Sequence, residues 1–293
     1  MKRTLFVLMA LLALCAAAAA AECPRIDIES YPVVDGSTAT LPLSYKLMQA
    51  ATGASEDQAR EAITHTKTTH SFYNLVSGDA DLLLVYEPSE DAWDYARDRG
   101  VDLLVQPIGY DAVAFLVNEG NPVASLTHEQ VVGIYSGAIR NWAEVGGEDL
   151  EIVAYQRPDS SGSQVMMKAQ VMKDVGMMPP PEELVSSEMD GLVNAIASYR
   201  NTANAIGYSV VYYVDNMYMQ QGIKLLQIDG VAPTNAAIAS GEYPYRQPFY
   251  AVIRADAPEG SPARRLYNWL ATDEGRALVD AAGYVAAQAV DGE

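Results

Sequence analysis

Beyond an apolar N-terminal segment, short apolar runs alternate along the chain with longer stretches whose apolar residues recur at helical spacing. This alternation is typical of α/β domains, in which helices cover a sheet of buried strands. About 270 residues follow the N-terminal segment, enough for one large domain or two ordinary ones. Runs rich in Val, Leu, Ile and Tyr predict strands at Asp81–Tyr86, Leu103–Pro107, Ala112–Asn118, Ile152–Gln156, Ala205–Tyr212, Lys224–Ile228 and Phe249–Arg254.

Helices are predicted between these strands from caps and apolar spacing. Thr127 and Gln130 have the spacing of a capping box before an apolar run. Pro42 stands in the first turn of another predicted helix, where proline is tolerated. The predicted helices are Leu41–Thr52, Thr127–Tyr135, Gln164–Met172, Asp190–Arg200, Pro262–Thr272 and Glu274–Ala282.

The N-terminal segment has the pattern of an export signal. A short basic start, Met1–Arg3, precedes an unbroken apolar and small-residue run, Leu5–Ala21. This pattern predicts a signal peptide over residues 1–21 and an extracytoplasmic mature protein. The alternative is a retained membrane anchor, but the run is slightly shorter than the roughly 20 apolar residues of a spanning helix.

The two cysteines, Cys15 and Cys23, lie in or just after the signal, so they provide no disulfide framework. One interpretation is cleavage near Ala21, which leaves Cys23 close to the new N-terminus. The other is a lipid anchor: Leu12–Cys15 is similar to a lipobox, although Leu14 stands where a small residue is expected. Glu22 before Cys23 fits a lipobox less well still.

The formal net charge is −19, and loss of Lys2 and Arg3 with a signal would make it two units more negative. Such an acidic protein is poorly suited to nucleic acid or to anionic membranes, so no nucleic-acid partner is expected. A buried anion site remains compatible with this charge. Surface charges are screened within about 8 Å at physiological salt, and the donors that touch the ligand govern such a site.

Three polar loops stand at strand-to-helix junctions: Val34–Thr40 and Gln156–Gln164 each lead into a predicted helix, and Thr66–Ser71 precedes a helical stretch. The first N–H groups of a helix lack internal partners and carry a partial positive charge, so hydroxyls and glycines beside them favour an anion site. Taken singly, each loop is better explained as an ordinary Ser or Thr helix cap, and only the three together favour an anion site. In the third loop, Arg157 adds a planar fork that suits phosphate or carboxylate, and Asp159 is placed to steady it.

Other chemistry has weaker support in the sequence. His65, His70 and His128 lack metal-ligand spacing, so no metal and no cofactor are expected. A secreted serine hydrolase stays open as a minor alternative to a non-catalytic protein, with Ser161 or Ser163 as nucleophile and His70 as base.

Several motifs, taken in order, resemble the phosphate-binding proteins of bacterial phosphate ABC transporters. Arg157–Ser163 resembles the Arg-x-Asp-x-Ser-Gly-Thr loop of that family, and Asp35–Thr38 resembles its N-terminal Gly-Ser-Thr loop. The resemblance covers nearly the whole mature chain. Its other similar segments are Ile108–Pro122, Leu126–Trp142, Asn204–Tyr208 and Gly241–Pro244.

The resemblance implies a two-lobed type II periplasmic-binding-protein fold, α/β in class, in which each lobe is a mixed sheet flanked by helices and two crossover strands join the lobes. One lobe would comprise residues 26–111 plus 246–293, and the other residues 112–245. It also implies a monomer that captures inorganic phosphate between the lobes for an ABC transporter permease. The phosphate contacts implied are Ser37, Thr38, Thr69, Arg157, Ser161, Gly162 and Ser163, with Asp159 supporting Arg157.

The family also places an Asp after a strand of its first lobe, where it accepts the proton of phosphate. Glu87 is the nearest carboxylate here, although the alignment could equally place Tyr86 at that position. A buried carboxylate accepts from protonated phosphate but faces sulfate as an unpaired like charge, a misfit of about 1–3 kcal/mol or more. Selectivity for phosphate over sulfate, molybdate or tungstate therefore depends on this position.

Overall fold

The computed structural model describes residues 22–181, 184–197, 203–217 and 222–288. The predicted signal peptide and Cys15 lie outside the described residues. Within these ranges, every helix is too short or too polar to cross a bilayer. Cys23 packs partly against the hydrophobic core, and burial raises the pKa of its thiol to about 11.

The described strands form one mixed sheet and a small two-stranded pair. The strands are β1 Val34–Gly36, β2 Leu82–Val85, β3 Leu103–Asn118, β4 Ser125–Leu126, β5 Val153–Ala154, β6 Ala205–Val210, β7 Ile223–Leu225, β8 Gln227–Ile228, β9 Arg246–Arg254 and β10 Val285–Ala286. The main sheet has the order β1-β2-β9-β3-β6-β5, and β7 and β10 also pair with β3. β1–β2 and β5–β6 are parallel and the other pairs of this sheet are antiparallel, which confirms the predicted α/β class with mixed sheets.

Two long antiparallel strands, β3 and β9, connect the two parts of the sheet. They pair from Leu103 opposite Arg254 to Ala112 opposite Arg246, with a register shift between Pro107 and Gly109. Beyond this pairing, the second part of β3 pairs with β6 and β7. These are the crossover strands of the predicted fold. The predicted lobe boundaries fall inside β3 and at the start of β9, and they stay a prediction.

The sequence prediction divided β3 into two strands, and this was wrong. Gly109 and the neighbouring register shift do not end the strand, because pairing with β9 continues on both sides of them. Gly109 is required there for packing, since a Cβ would lie 2.4 Å from the Phe249 ring. The predicted strand Ile152–Gln156 is reduced to Val153–Ala154, and Lys224–Ile228 is divided between β7 and β8.

The helices cover the sheet and bury apolar faces against it. They are α1 Leu41–Thr52, α2 Glu56–Ala62, α3 Thr68–Ser77, α4 Glu90–Asp98, α5 His128–Ser136, α6 Gly162–Met166, α7 Met189–Ala197, α8 Asn235–Ser240, α9 Pro262–Leu270 and α10 Asp273–Ala281. The bounds of α1 are as predicted, and the capping box at Thr127 and Gln130 is present. The predicted helix Gln164–Met172 begins earlier, as α6, and continues as a π-helical turn over Met167–Met172. The predicted end of Asp190–Arg200 lies outside the described residues.

Candidate anion-binding site

Residues from all three predicted loops line one small cavity of about 20 Å³. The lining side chains and backbone combine hydroxyls, a guanidinium and the starts of helices. Those described are Ser37, Thr38, Ala39, Lys67, Thr68, Tyr86, Arg157, Ser161, Gly162, Ser163, Met189 and Val210.

The first loop is fixed by backbone contacts to β2 and by a buried histidine. Gly36 lies so close to β2 that a Cβ would come within 1.9 Å of the Leu84 carbonyl oxygen, so only glycine fits there. The Ser37 amide donates to the same oxygen at 3.2 Å. His65 Nδ1 lies 2.7 Å from the Ser37 carbonyl oxygen, and its Nε2 lies 3.0 Å from Ser44 Oγ. Thr38 is thereby held at the start of the helical segment that continues into α1.

A chain of hydroxyls connects this loop to α3. The Tyr86 amide donates to Ser37 Oγ at 3.1 Å, and Ser37 Oγ lies 2.8 Å from Thr68 Oγ1. Because Ser37 Oγ already accepts one hydrogen bond, its own proton is free to point at Thr68, which leaves the Thr68 hydroxyl able to donate into the cavity.

Thr68, and not the predicted Thr69, lines the cavity. Thr69 is buried one position further along α3, where its hydroxyl lies 3.3 Å from Ser89 Oγ. Successive helical residues point about 100° apart, so only one of the two threonines faces the cavity. Which threonine faces the cavity depends on where α3 begins. That start is set by Lys67, the residue before the helix, whose φ is 75°.

Arg157 brings a buried positive charge to the cavity. The residue is 5% exposed, and its amide donates to Gln164 Oε1 and Tyr208 Oη, both at 3.2 Å. Its Nη2 donates to the Ser187 carbonyl at 3.4 Å, whereas Nε and Nη1 have no hydrogen-bond partner among the described residues. Burial lowers the pKa of Arg157 from its ordinary value, since desolvation disfavours the charged form. An anion within reach of this fork would satisfy its donors and compensate its charge.

The start of α6 forms the remaining wall. Ser161 Oγ lies 3.0 Å from Ser163 Oγ, and both residues are buried. Gly162 faces Thr68 so closely that a Cβ would lie 2.6 Å from Thr68 Oγ1. The third loop therefore meets the second across the cavity, with hydroxyls and backbone N–H groups between them.

Two carboxylates predicted at the site point elsewhere: Asp159, expected to support Arg157, and Glu87, expected to contact phosphate. Asp159 pairs with Lys168 at 2.7 Å, and its side chain is 81% exposed, so it does not hold Arg157. Glu87 accepts a hydrogen bond from Trp93 Nε1 at 2.9 Å, and Tyr86 is the residue of this stretch that lines the cavity. Both residues follow the end of β2 at Val85, and their side chains have different partners: Tyr86 binds Asp111, whereas Glu87 binds Trp93.

Asp111 is a buried carboxylate that the sequence prediction missed. Its Oδ2 accepts from Tyr86 Oη at 2.6 Å, and its Oδ1 accepts from the amides of Ala112 at 2.7 Å and Tyr212 at 3.2 Å. Burial raises the pKa of Asp111 to about 6, although these hydrogen bonds oppose the shift. The sequence offered no signal for this role beyond the position of Asp111 at the predicted lobe boundary.

The residues suggested for a serine hydrolase are not assembled. Ser161 and Ser163 line the cavity, but His70 is exposed on α3, where its ring packs edge-on against Tyr73. Among the described residues, histidines, cysteines and carboxylates form no group of three that would hold a metal ion. What the arrangement offers is hydrogen-bond donors around one guanidinium, a set suited to a small oxyanion.

Comparison with known proteins identifies similar chains. The phosphate-binding protein PstS of Borreliella burgdorferi is 22% identical over 274 residues, which cover 90% of this chain and 92% of that protein. PstS of Bacillus subtilis is 30% identical over 154 residues. That match spans about half of the relative, 48% of its length. An ABC-type phosphate transport receptor from Vibrio cholerae superposes with a TM-score of 0.64 at 25% identity, covering 88% of this chain and all of that one.

These matches confirm the resemblance predicted from the loop motifs and the type II fold that it implied. The model of the PBP superfamily domain matches residues 29–274, from before β1 to the start of α10. The chain therefore belongs to the PBP superfamily.

Proposed function

We propose that the protein captures inorganic phosphate in this cavity and delivers it to the permease of an ABC transporter, without catalysing a reaction. One observation carries the proposal: the guanidinium of Arg157 is buried with two nitrogens unpaired, among hydroxyls contributed by three separate loops. A buried cation of this kind is costly unless an anion pairs with it, and a tetrahedral oxyanion matches both the fork and the ring of donors.

The proposed contacts are the hydroxyls and N–H groups of the three loops. Thr38, Thr68, Arg157, Gly162 and Ser163 would hold the anion directly, and Ser161 would orient Ser163 through the 3.0 Å contact between their hydroxyls. Ser37 acts through Thr68. Hydroxyls accept hydrogen bonds as well as donate them, so they can also accept one from the O–H group that phosphate keeps near neutral pH.

Export and transport belong to the same proposal. The relatives named phosphate-binding protein PstS and the phosphate transport receptor support it, as does the signal-like segment over residues 1–21. The mature protein is then an extracytoplasmic monomer, released or held at the membrane by a lipid on Cys15 or Cys23. Closure of two lobes by a hinge motion would present the loaded form to the permease.

The proposal is tested by calorimetric titration of the mature protein with phosphate and, separately, with sulfate. We expect phosphate to bind and Arg157→Ala to weaken it at least tenfold, since hydrogen bonds to charged groups contribute about 1.5–3 kcal/mol each. Arg140→Ala is the matched control, because Arg140 is exposed and its Nε binds only the Gly137 carbonyl. Failure to bind millimolar phosphate would refute the proposal, and tighter binding of sulfate would assign the site to another oxyanion.

A further inference from the structure

An ion pair joins two segments that flank the cavity and lie far apart in the chain. Lys67 Nζ is 2.5 Å from Glu188 Oε1, across 121 residues of sequence. Lys67 directly precedes α3, in the predicted first lobe, and Glu188 directly precedes α7, in the predicted second lobe. The pair therefore crosses from one proposed lobe to the other.

Both partners are adjacent to residues of the anion site. Lys67 itself lines the cavity and is followed by Thr68, the start of α3. Glu188 lies between Ser187, whose carbonyl accepts from Arg157 Nη2 at 3.4 Å, and Met189, which lines the cavity. Fixing Lys67 to Glu188 thus fixes the hydroxyl wall against the segment that holds the guanidinium.

The backbone of Lys67 adds a second, independent observation. Its φ of 75° and ψ of 164° place it in a region that residues with side chains rarely adopt and that glycine adopts freely. Strain of this kind persists mainly at ligand clamps and switches. A lysine at this position strains the backbone where a glycine would not. Its side chain, however, makes the ion pair with Glu188, which a glycine could not.

We infer that Lys67 and Glu188 form a latch that holds the two walls together over the bound anion and slows its release. The inference rests on the proposed function. Lys67 also compensates the charge of Glu188, which is close enough to act on Arg157. Without Lys67, that carboxylate would repel an anion bound to the guanidinium.

The expected effect is small but measurable. The two side chains are 45% and 58% exposed, and exposed pairs are weak and sensitive to salt. We therefore expect Lys67→Gln to accelerate phosphate release about two- to fivefold. Glu188→Gln should accelerate release in the wild-type background, because it breaks the pair. When Lys67 is already Gln, it should not accelerate release, because removing the unpaired carboxylate relieves its repulsion of the bound anion.

The experiment is a double-mutant cycle on the mature protein, with release of phosphate into a fluorescent phosphate trap followed by stopped flow. Lys168→Gln serves as the matched control, because it breaks another exposed ion pair, with Asp159, that does not cross between the proposed lobes. Lys67→Arg, which keeps the positive charge, should release phosphate as slowly as the wild type does. The Lys67→Gln effect should shrink at 0.5 M NaCl, which a purely structural effect would not do.

Release that is unchanged in Lys67→Gln, effects that simply add in the cycle, or equal acceleration by Lys168→Gln would each overturn the latch while leaving phosphate binding intact. Wild-type protein that fails to bind phosphate would overturn the proposed function itself, and the latch with it. The two failures are distinguished by the wild-type titration alone.

Discussion

At the scale of single residues, Gly162 and Thr68 approach each other closely across the cavity. A Cβ on Gly162 would lie 2.6 Å from Thr68 Oγ1, which is closer than Cβ atoms approach in real structures. We predict that Gly162→Ala separates the two walls and weakens phosphate binding at least tenfold, since a clamp displaced by a fraction of an ångström loses several charge-assisted hydrogen bonds at once. Calorimetric titration of both proteins measures the difference.

The same substitution should leave the ligand-free fold intact. Gly162 does not adopt a positive φ, and alanine is tolerated better than glycine within a helix. Gly260→Ala is the control, because nothing lies within 4 Å of a Cβ at that position. Unchanged affinity in Gly162→Ala would mean that the walls do not approach this closely around the ligand.

At the residue scale, the predicted Arg157 loop does line the cavity, and its role in phosphate binding stays a prediction. The loop around Arg157 could be selected from sequence because a guanidinium followed by Ser and Gly at a helix start favours an anion site more than a plain Ser or Thr cap does. Thr68 was missed in favour of Thr69 because the face depends on where α3 begins, which is set by the unusual backbone of Lys67. Glu188 was missed because its partner lies 121 residues away, and a single sequence contains no signal for such a pair.

At the scale of elements, β3 carries the buried carboxylate of Asp111 between the two parts of the sheet. Its folded pKa of about 6 lies above its ordinary value of 3.8. Stability from this group is therefore fully present below about pH 4 and is lost as the pH rises towards about 6. His65, whose pKa is lowered by burial, has the opposite sign: its neutral form is favoured by folding, so stability is lost as the pH falls below its ordinary value of 6.5.

We predict that Asp111→Asn removes the first of these dependences and keeps the second. The unfolding free energy of the variant minus that of the wild type should rise between about pH 4 and 6, by up to about 3 kcal/mol, and then level off. Chemical denaturation at several pH values measures this difference, in which the contribution of His65 cancels. A difference that is flat with pH would show that Asp111 does not titrate in this range.

Element-scale prediction was uneven: the helices α2, α4 and α8 were missed, and several strand bounds were wrong. α1 has its predicted bounds because its proline start and Gly53 end are local signals. β3 was divided because the pattern breaks near Pro107 and Gly109, yet pairing with β9 carries the strand through. β5 was predicted too long, because the apolar pattern marks burial whereas strand length is decided by a partner, here two residues of β6.

At the scale of the whole molecule, a chain with net charge −19 is proposed to bind an anion. The long-range field opposes approach of phosphate, but it is screened within about 8 Å at physiological salt, whereas the donors in the cavity act at contact. The free energy of binding is then gained mainly when the walls held by β3 and β9 close around the anion. Binding and closure should accordingly be coupled, so that the liganded molecule is both more stable and more compact.

We predict that phosphate at about 1,000 times its dissociation constant stabilises the mature protein by about 4 kcal/mol, because it binds only the folded state. For a chain of this size that corresponds to a rise of about 10 °C in Tm. Sodium chloride at matched ionic strength should reproduce little of this rise in Tm, and Arg157→Ala should lose most of it at the same phosphate concentration.

Small-angle scattering should show a smaller radius of gyration with phosphate. A rise in Tm that survives in Arg157→Ala would place the stabilising anion elsewhere on the molecule, and a rise without compaction would uncouple binding from closure of the walls.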